Sequence, residues 1–377
     1  MNFELTEERQ MLQDSLRRYL SDTVTPEMIH DATEADTGHS DTLWSGLAEM
    51  GVIGALFSEE DGGFGGAGFD LTVVFEELGR AGAFEPLMES GVLAGGLIAA
   101  LGSDAQKAMI DEIVSGETIL TLAHGEPAAR YDLAHVETQA AKGGDGWILT
   151  GRKSVVMAAP AAQQMVVSAR TSGEKGDTDG ISLFLVPMDA SGIETRDYPL
   201  NGGGRASEIT LTDVTVPADA LIGPEGGAFE AIETQHARAI AAQCAEAVGL
   251  MDAAKDLTVG YLQQRKQFGQ PIGKFQALQH RMADVLIEIE QARSAVINLG
   301  GHLDAPRAER ERYVSAAKNL VGRTAKLVVE ESIQMHGGIG MTMEYALGHI
   351  AKRLTMIDHR FGDVDWHLER FIRLAAA

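Results

Sequence analysis

Apolar residues at helical spacing open the chain and return in its last third. Thr6 offers a capping hydroxyl ahead of the acidic Glu7 and Glu8, which predicts that an amphipathic helix begins there. The apolar face of that helix consists of Leu12, Leu16, Tyr19 and Leu20. Two later faces predict a helical bundle, one formed by Leu278, Met282, Val285, Ile289 and Val296 and the other by Val314, Ala317, Val321, Ala325 and Val328.

Between about Thr118 and Gly227, short β-prone runs are separated by Gly, Asp and Pro, which predicts a β-domain. The runs are Ile119–Leu122, Trp147–Leu149, Met165–Val167, Ile181–Val186 and Ile209–Val216. We therefore predict an N-terminal helical domain at 1–117, a middle β-domain at 118–227 and a C-terminal helical bundle at 228–377. The length of 377 residues agrees with two or three packed units, since it exceeds what one hydrophobic core usually supports.

A glycine-rich segment, Gly62–Gly68, lies between two helical stretches and contains a Gly-x-Gly-x-x-Gly match. Such a match is also found in nucleotide-binding Rossmann folds, where it follows a strand and opens a helix. Because no βαβ unit or later ribose-binding acid frames it here, we interpret the segment as a flexible loop between helices.

The charge balance excludes two classes of partner. With 31 basic and 55 acidic side chains the formal net charge is −24, which would repel nucleic acid and anionic membrane surfaces. The single cysteine, Cys244, lies among alanines, reads as a small buried hydrophobe and fits a reducing compartment. The opening residues Met1–Leu5 are acidic rather than basic, and no apolar run reaches the roughly 18 residues that span a bilayer. The expected location is the cytoplasm.

Two segments carry the chemistry, residues 261–280 (YLQQRKQFGQPIGKFQALQH) and residues 334–340 (QMHGGIG). A guanidinium beside an aromatic ring and a glycine suits a pyrophosphate, and glycines let backbone N–H groups approach a phosphate. The pair resembles the flavin-dinucleotide signatures of the acyl-CoA dehydrogenase family, so FAD is the expected cofactor. The candidate cofactor-binding residues are Arg265, Gln267, Phe268, Gly269, Gln334, Gly337 and Gly338.

The resemblance runs along nearly the whole chain. Residues 204–206 (GRA), 214–217 (VTVP), 222–223 (IG) and 226–227 (GG) look like the exit from that family's β-domain. The resemblance implies an α+β, multi-domain acyl-CoA dehydrogenase fold. Its parts are an N-terminal helical domain, a middle β-barrel or sandwich domain and a C-terminal four-helix bundle.

Members of this family desaturate an acyl-CoA thioester, using a carboxylate as the base that removes the α-proton. The resemblance places the commoner base position at Phe361 and the alternative one at Ala239, which is followed by Ile240. Neither side chain exchanges a proton, so no catalytic residue is assigned. Replacement bases are a less favoured alternative, with Asp363 and Glu246 as the main candidates and Asp365 and Glu233 beside them.

The segments that hold the flavin ring in the family also lack some of their functional side chains in this sequence. The family's Thr-Glu-Pro-Gly-Ala-Gly-Ser-Asp turn appears as Gly125–Asp132 (GEPAARYD), without its hydroxyls. The Trp-Ile-Thr stretch that covers the ring becomes Val155–Met157, after a recognisable Gly151–Lys153 (GRK). Met157 offers only a feeble hydrogen-bond acceptor.

In family homo-oligomers, one subunit's β-domain holds the ring and a neighbour's arginine and Gln-x-x-Gly-Gly motif hold the dinucleotide end. The resemblance therefore implies a subunit of a hetero-oligomeric enzyme, expected as α2β2, whose homologous partner supplies the ring pocket and the catalytic Glu. Electron-transfer flavoprotein is the acceptor that the family implies, and fatty acid β-oxidation is the expected setting. The nearest subgroup is the small subunit of pimeloyl-CoA dehydrogenase, on the strength of residues 168–171, 245–249, 340–345 and 352–358.

Two other functions stay open, a catalytically silent scaffold that binds its partner and a homo-oligomeric dehydrogenase with a relocated base. His336 is expected to be a turn or packing residue rather than a catalyst. His236 and Arg238 are expected to bind a CoA phosphate or to face solvent. His359, Asp363 and His367 imitate a metal site at helical spacing, but Gly362 interrupts the helix and the family uses no metal, so no metal is expected.

Overall fold

The computed structural model describes residues 5–342 and 344–376. The opening residues Met1 to Glu4, on which the expectation about export rests, and Met343 of the pimeloyl-CoA dehydrogenase resemblance lie outside the described residues. The N-terminal helices are α1 (Glu7–Thr23), α2 (Pro26–Glu34), α3 (Asp41–Glu49), α4 (Gly68–Ala81), α5 (Gly96–Leu101), α6 (Asp104–Lys107) and α7 (Met109–Val114). Short 3₁₀ helices cover Gly54–Leu56 and Glu59–Asp61, and a π-helix covers Met88–Gly95.

The first helix begins where the sequence predicts. The Thr6 hydroxyl accepts a hydrogen bond from the backbone N–H of Arg9 at 3.4 Å, which caps α1. Leu16 and Leu20 are buried on the predicted apolar face. This confirms the start of α1 and the direction in which it packs.

The middle of the chain forms an eight-stranded sheet. Its strands are β1 (Leu120–Ala123), β2 (Gln139–Gly143), β3 (Gly146–Met157), β4 (Gln164–Arg170), β5 (Ile181–Pro187), β6 (Ile193–Pro199), β7 (Arg205–Pro217) and β8 (Leu221–Ile222). The order is β6-β7-β3-β2-β4-β5-β8, and β1 pairs with β4. The pairs β1–β4 and β2–β4 are parallel and the others antiparallel.

Four of the five β-prone runs lie within strands and the run at 119–122 overlaps β1, which confirms the middle sheet. The sequence missed β2 and β6, because both are polar and largely exposed. The core of the sheet includes Trp147 and Phe184, whose rings meet edge to face with centroids 5.2 Å apart.

Helices return after the sheet, with the predicted faces buried. The elements are α8 (Phe229–Gln264), β9 (Lys266–Gln267), β10 (Gln270–Pro271), α9 (Gln276–Gly300), α10 (Arg307–His336), α11 (Ala346–Asp358) and α12 (Val364–Ala376). Short 3₁₀ helices cover Ile272–Lys274 and Gly337–Met341. Met282, Val285 and Ile289 are buried on α9, and the complete predicted face is buried on α10. Over the described ranges, none of the helices combines the length and apolarity that crossing a bilayer requires.

The fold divides into two compact units. One comprises residues 1–29, 67–84 and 240–377, and the other comprises residues 30–66 and 85–239. The first contains a charged network in which Arg293 reaches Asp252 at 2.7 Å and Arg80 reaches the same carboxylate at 2.6 Å, so α4, α8 and α9 are tied together. Arg293 and Arg80 help to lower the pKa of Asp252, although burial alone would raise it.

Residues 62–66 of the glycine-rich segment lie in the second unit and form a loop between helices, as the sequence predicts. The backbone N–H groups of Gly63, Gly65 and Gly66 donate to carbonyls of Ser58, Phe57 and Ala55 at 2.8 to 2.9 Å. A Cβ on Gly63 or Gly65 would overlap backbone carbonyl oxygens. The glycines of this loop therefore permit close backbone packing.

Glycines also set how closely α4 and α8 pack. A Cβ on Gly249 of α8 would overlap the Glu76 carbonyl oxygen of α4, and one on Gly79 of α4 would overlap the Glu246 carbonyl oxygen of α8. The two backbones touch at this crossing, so neither position has room for a side chain.

Replacing Gly249 by alanine is therefore expected to destabilise the protein. Overpacking of this kind costs about 1–3 kcal/mol and would lower the midpoint of urea unfolding. Gly260 is the matched control, because it lies in the same helix with nothing within 4 Å of its Cβ position. Gly260→Ala should leave stability unchanged or raise it by up to about 1 kcal/mol. Equal effects of the two substitutions would contradict the close crossing.

Candidate functional site

The first cofactor segment is a two-residue hairpin at the end of α8. Gln267 pairs with Gln270, and the turn residues Phe268 and Gly269 have φ of 53° and 80°. This is the backbone that a tight hairpin turn requires, and it is strained for Phe268. The Phe268 side chain is 92% exposed, and the neighbouring Arg265 and Gln267 are also exposed.

The second cofactor segment follows α10. Gly337 has φ 67° and ψ −146°, a conformation available almost only to glycine, and nothing lies within 4 Å of its Cβ position. The glycine is therefore required by the backbone rather than by crowding. Gln334, Gly337 and Gly338 are all exposed.

A ring contact brings the two segments together. Tyr261 stands one helical turn before Arg265, and His336 immediately precedes Gly337. Their rings stack with centroids 4.6 Å apart and planes 27° apart. The predicted cofactor residues thus collect on one end of the bundle. His336 is a packing residue here, as its sequence context predicts.

This end of the bundle fits a dinucleotide. It presents a guanidinium, an exposed aromatic ring and a glycine turn without side chains, groups that bind a pyrophosphate and stack on a planar base. Arg265 would hold the phosphates, and the Gly337–Gly338 turn would allow a phosphate to approach the backbone.

The commoner base position lies on a loop held from several sides. Phe361 has φ 61°, is half-buried, and has the Arg360 guanidinium 4.4 Å from its ring centroid. Nε2 of His367 lies 3.0 Å from the Phe361 carbonyl oxygen and donates to it. The buried Lys318 ammonium donates to the carbonyls of Ile357 and Gly362 at 2.6 and 3.0 Å.

These hydrogen bonds hold the loop in place, and Phe361, which the family resemblance places at the commoner base position, carries no carboxylate. The alternative position is equally inert, because Ala239 is fully buried and Ile240 follows it in α8. Neither position supplies a proton acceptor.

Both main replacement bases have structural partners. The Asp363 carboxylate accepts from the backbone N–H of Trp366 at 2.8 Å and caps α12. Glu246 is buried and forms an ion pair with Arg353. Asp365 is exposed in the first turn of α12, and Glu233 is buried on α8.

The candidate residues His236, His359, His367 and Cys244 lie in different environments. His359 is exposed, whereas His367 is buried, and over the described ranges no group of three or more His, Cys, Asp or Glu side chains is arranged to hold a metal ion. Nδ1 of His236 lies 2.9 Å from the Ile232 carbonyl oxygen, and Arg238 donates to the Gly66 carbonyl. Burial raises the pKa of the Cys244 thiol to about 12, so the thiol stays protonated and unreactive.

In the β-domain, the two ring-binding segments of the family lie side by side. The Ser154 N–H donates to the Gly125 carbonyl at 2.8 Å. Val155 has φ 51°, a strained value for a β-branched residue, and its side chain is 53% exposed. Glu208 accepts from the Val155 N–H at 3.2 Å and from the Ser154 hydroxyl at 2.8 Å, so these donors are already bonded within the chain.

A buried ion pair supports these segments, and sequence reasoning missed it. The Lys153 ammonium lies 2.7 Å from Glu126 and 3.1 Å from the Ser168 hydroxyl, with the lysine and the glutamate almost fully buried. Glu126 also accepts from the N–H groups of Glu137 and Thr138 at 2.6 and 3.0 Å. The signal was present, because Glu126 and Lys153 belong to the two family-like stretches Gly125–Asp132 and Gly151–Lys153.

Burial governs the titration of this pair. It lowers the pKa of Lys153 to about 8, because the charged form is poorly solvated. For Glu126, burial alone would raise the pKa, but the attraction of Lys153 and the hydrogen bonds lower it. The pair is therefore charged at neutral pH and fastens the turn to β3.

The comparisons with known proteins agree with this architecture. Family models match residues 6–117 (acyl-CoA dehydrogenase, N-terminal domain), 121–214 (middle domain) and 229–370 (C-terminal domain). A probable acyl-CoA dehydrogenase, YngJ of Bacillus subtilis, is 31% identical over 95% of each chain. The fold and the cofactor end define a flavin-dependent dehydrogenase, and this chain belongs to the acyl-CoA dehydrogenase family.

Two solved structures are also similar to this chain in sequence and fold. The Tcur3481-Tcur3483 steroid ACAD, solved as a variant, is 30% identical with a TM-score of 0.87 and covers 98% of both chains. The ChsE4-ChsE5 complex from Mycobacterium tuberculosis is 25% identical with a TM-score of 0.89 and covers 100% of this chain and 99% of that one. The three-domain fold, the dependence on FAD and the class of oxidoreductase acting on acyl-CoA are thereby confirmed.

The buried ion pair is expected to matter for stability. Glu126→Gln would leave the Lys153 ammonium buried without its carboxylate, which typically costs about 3–5 kcal/mol. Denaturant unfolding would measure the loss. Glu137→Gln is the control, because that glutamate is exposed and pairs with Lys175 and His135 near the surface, where solvent screens the charges and little loss is expected. Similar losses for both variants would contradict the importance of the buried pair.

The loop at the base position is expected to loosen in acid. Burial, followed by the charge of Lys318, lowers the pKa of His367 to about 3, below its ordinary 6.5. Since the unfolded chain takes up this proton first, the contribution to stability is complete above pH 6.5 and declines as the pH falls toward 3. The slope is about 1.4 kcal/mol per pH unit. Between pH 6.5 and 5.0, the free energy of unfolding measured in urea should fall in the wild type. The part of this fall that comes from His367 should be absent in His367→Gln. An unchanged pH dependence in the variant would contradict it.

Proposed function

We propose that this chain is one subunit of a hetero-oligomeric acyl-CoA dehydrogenase. It holds the dinucleotide end of an FAD whose ring pocket and catalytic carboxylate belong to a different, homologous partner chain. The observation that carries the proposal is the contrast between two surfaces. The hairpin and the glycine turn keep every group that a dinucleotide needs, whereas the base positions hold Phe361 and Ala239.

The exposure of the proposed cofactor-binding residues supports a cofactor that lies mainly on another chain. Arg265, Phe268 and Gln334 face solvent in the single chain, so they are available to a molecule brought by a neighbour. The hairpin and the stacked rings fix their positions, which limits the entropy lost on binding. The role proposed for these residues is to bind and orient the cofactor.

The β-domain of this chain is proposed not to complete a ring pocket. Glu208 already accepts the Val155 N–H and the Ser154 hydroxyl, and Met157 replaces a threonine that would hydrogen-bond the ring. A carboxylate beside this edge also disfavours the negative charge of a reduced flavin. FAD, when bound, would supply the hydride acceptor, and a carboxylate of the partner would act as the base, while the residues of this chain would bind and orient the dinucleotide end.

The comparisons support a paired enzyme. Both solved structures described above carry the names of two chains, and one is named a steroid ACAD. An α2β2 assembly acting on an acyl-CoA, with electron-transfer flavoprotein as the acceptor in the cytoplasm, is the arrangement we propose. The resemblance to the small subunit of pimeloyl-CoA dehydrogenase points to the same division of labour.

The silent scaffold and the homo-oligomer with a relocated base remain the competing functions. The scaffold requires no cofactor contact from Arg265. The homo-oligomer requires flavin absorbance and dehydrogenation by the isolated chain. The ion pair of Glu246 and the capping bond of Asp363 speak against either as the relocated base, because each carboxylate has a structural partner.

Replacing Arg265 by alanine in the complex with the partner chain separates these functions. Loss of a charge-assisted contact to phosphate is expected to weaken FAD binding about 10- to 100-fold. Flavin content per complex and the FAD dissociation constant are the measurements. Lys266→Ala is the matched control, since Lys266 is the next residue of the same exposed hairpin and should change FAD binding little. Unchanged FAD content and turnover in Arg265→Ala would favour the scaffold.

A further inference from the structure

His336 contacts its surroundings through one stacked face and both nitrogens of its imidazole. The side chain is buried and stacks on Tyr261 of α8. Its Nε2 lies 3.3 Å from the hydroxyl of Tyr345, which precedes α11, and the two ring centroids are 5.2 Å apart. Its Nδ1 lies 2.8 Å from the Ser332 carbonyl oxygen within α10. The imidazole thus contacts three parts of the chain just before Gly337.

The Ser332 carbonyl favours one tautomer of the imidazole. A carbonyl oxygen only accepts hydrogen bonds, so Nδ1 must carry the hydrogen and donate to Ser332. In the neutral ring Nε2 then has a lone pair, and the Tyr345 hydroxyl donates to it. Both nitrogens are used in this state, and the ring cannot turn without breaking a bond.

We propose that His336 is a positioning residue for the dinucleotide surface. Its neutral imidazole, hydrogen-bonded through both nitrogens, holds the hairpin at 265–272 against the glycine turn at 337–342. Binding of the dinucleotide end of FAD depends on this link. The FAD part rests on the proposed function above, whereas the link between the two segments does not.

The surroundings of the ring disfavour a positive charge. Among the described residues, the titratable groups that contact the ring are the phenols of Tyr261 and Tyr345, and the carbonyls of Ser332 and Leu257 also approach it. Burial lowers the pKa of His336, and the two carbonyls oppose that shift only in part. Protonation would also reverse the hydrogen bond to Tyr345, because Nε2 would become a donor.

The link is therefore complete above pH 6.5 and weakens as the pH falls below it. The reason is that opened forms of the chain take up the proton more readily than the closed form. Acid should expose the hairpin and the turn together.

The test compares four variants in the full-length chain. His336→Phe keeps a stacking ring but removes both nitrogens, Tyr345→Phe removes only the hydroxyl, and a third variant combines the two. His302→Phe is the matched control, because His302 also stacks on a tyrosine, Tyr313, and its Nδ1 also meets a carbonyl four residues earlier, that of Asn298. Hydrogen exchange of the 265–272 amides reports the link without flavin, and the FAD dissociation constant of the complex with the partner chain reports its effect on binding.

We expect His336→Phe to speed hairpin exchange and to weaken FAD binding about fivefold, the equivalent of one net hydrogen bond. Tyr345→Phe should act in the same direction. The double variant should be no worse than His336→Phe, because the hydroxyl has already lost its acceptor. After correction for intrinsic exchange, lowering the pH from 7.5 to 5.5 should speed hairpin exchange in the wild type but not in His336→Phe. His302→Phe should leave all of these values unchanged.

Unchanged exchange in both single variants, additive effects in the double variant or an equal effect of His302→Phe would overturn the proposal. If His336→Phe does not fold, Tyr345→Phe alone decides, since it removes one oxygen atom. Faster exchange together with FAD binding that neither His336→Phe nor Arg265→Ala alters would support the link and refute the proposed function. If Arg265→Ala weakens FAD binding while His336→Phe and Tyr345→Phe leave hydrogen exchange of the hairpin unaltered, the proposed function is supported and the link is refuted.

Discussion

The ring stack of Tyr261 on His336 joins the ends of two long helices, α8 and α10, and we infer that the proposed cofactor surface depends on it. α8 and α10 each finish in a conformation that a helix cannot continue, a tight hairpin after one and a glycine turn after the other. The hairpin residues 265–269 and the turn residues Gly337 and Gly338 are exposed. The ring stack and the hydrogen bond to Tyr345 therefore supply order that burial does not provide. A dinucleotide site on exposed elements needs such internal support, because loose groups would lose more entropy on binding.

The rest of the molecule has the acyl-CoA dehydrogenase fold, and buried polar contacts hold the segments that the family uses for catalysis and for the flavin ring. The loop around Phe361 is still held by Lys318 and His367, and the turn at Gly125–Asp132 is still held by the buried pair of Lys153 and Glu126. These polar contacts are costly to break once buried, because a lone charge or an unpaired carbonyl would remain. The fold is therefore preserved by its buried network, while the identity of an individual side chain such as Phe361 decides whether a proton can be taken.

This separation explains why an intact and an eroded half coexist in one chain. In an oligomer whose cofactor spans two subunits, a chain can serve its neighbour's cofactor without completing its own site. In the arrangement we propose, the exposed Arg265 and Phe268 would act on the neighbour's cofactor, whereas Ala239 and Val155 belong to positions that would serve this chain's own site. We propose that only the exposed residues, such as Arg265 and Phe268, contact a cofactor.

The sequence by itself determined the order of helices and strands, the start of α1 and the apolar faces of α9 and α10, because periodicity and capping are local properties. It also determined that Phe361 and Ala239 cannot act as bases, since residue identity alone excludes proton transfer. It missed the exposed, polar strands β2 and β6, and it left Glu126 and Lys153 as separate motif residues although they form one buried pair. Only the tertiary structure decided that Glu246 pairs with Arg353, that Asp363 caps α12 and that His336 joins the two cofactor segments. Those partners are far apart along the chain or depend on side-chain direction, which spacing does not encode.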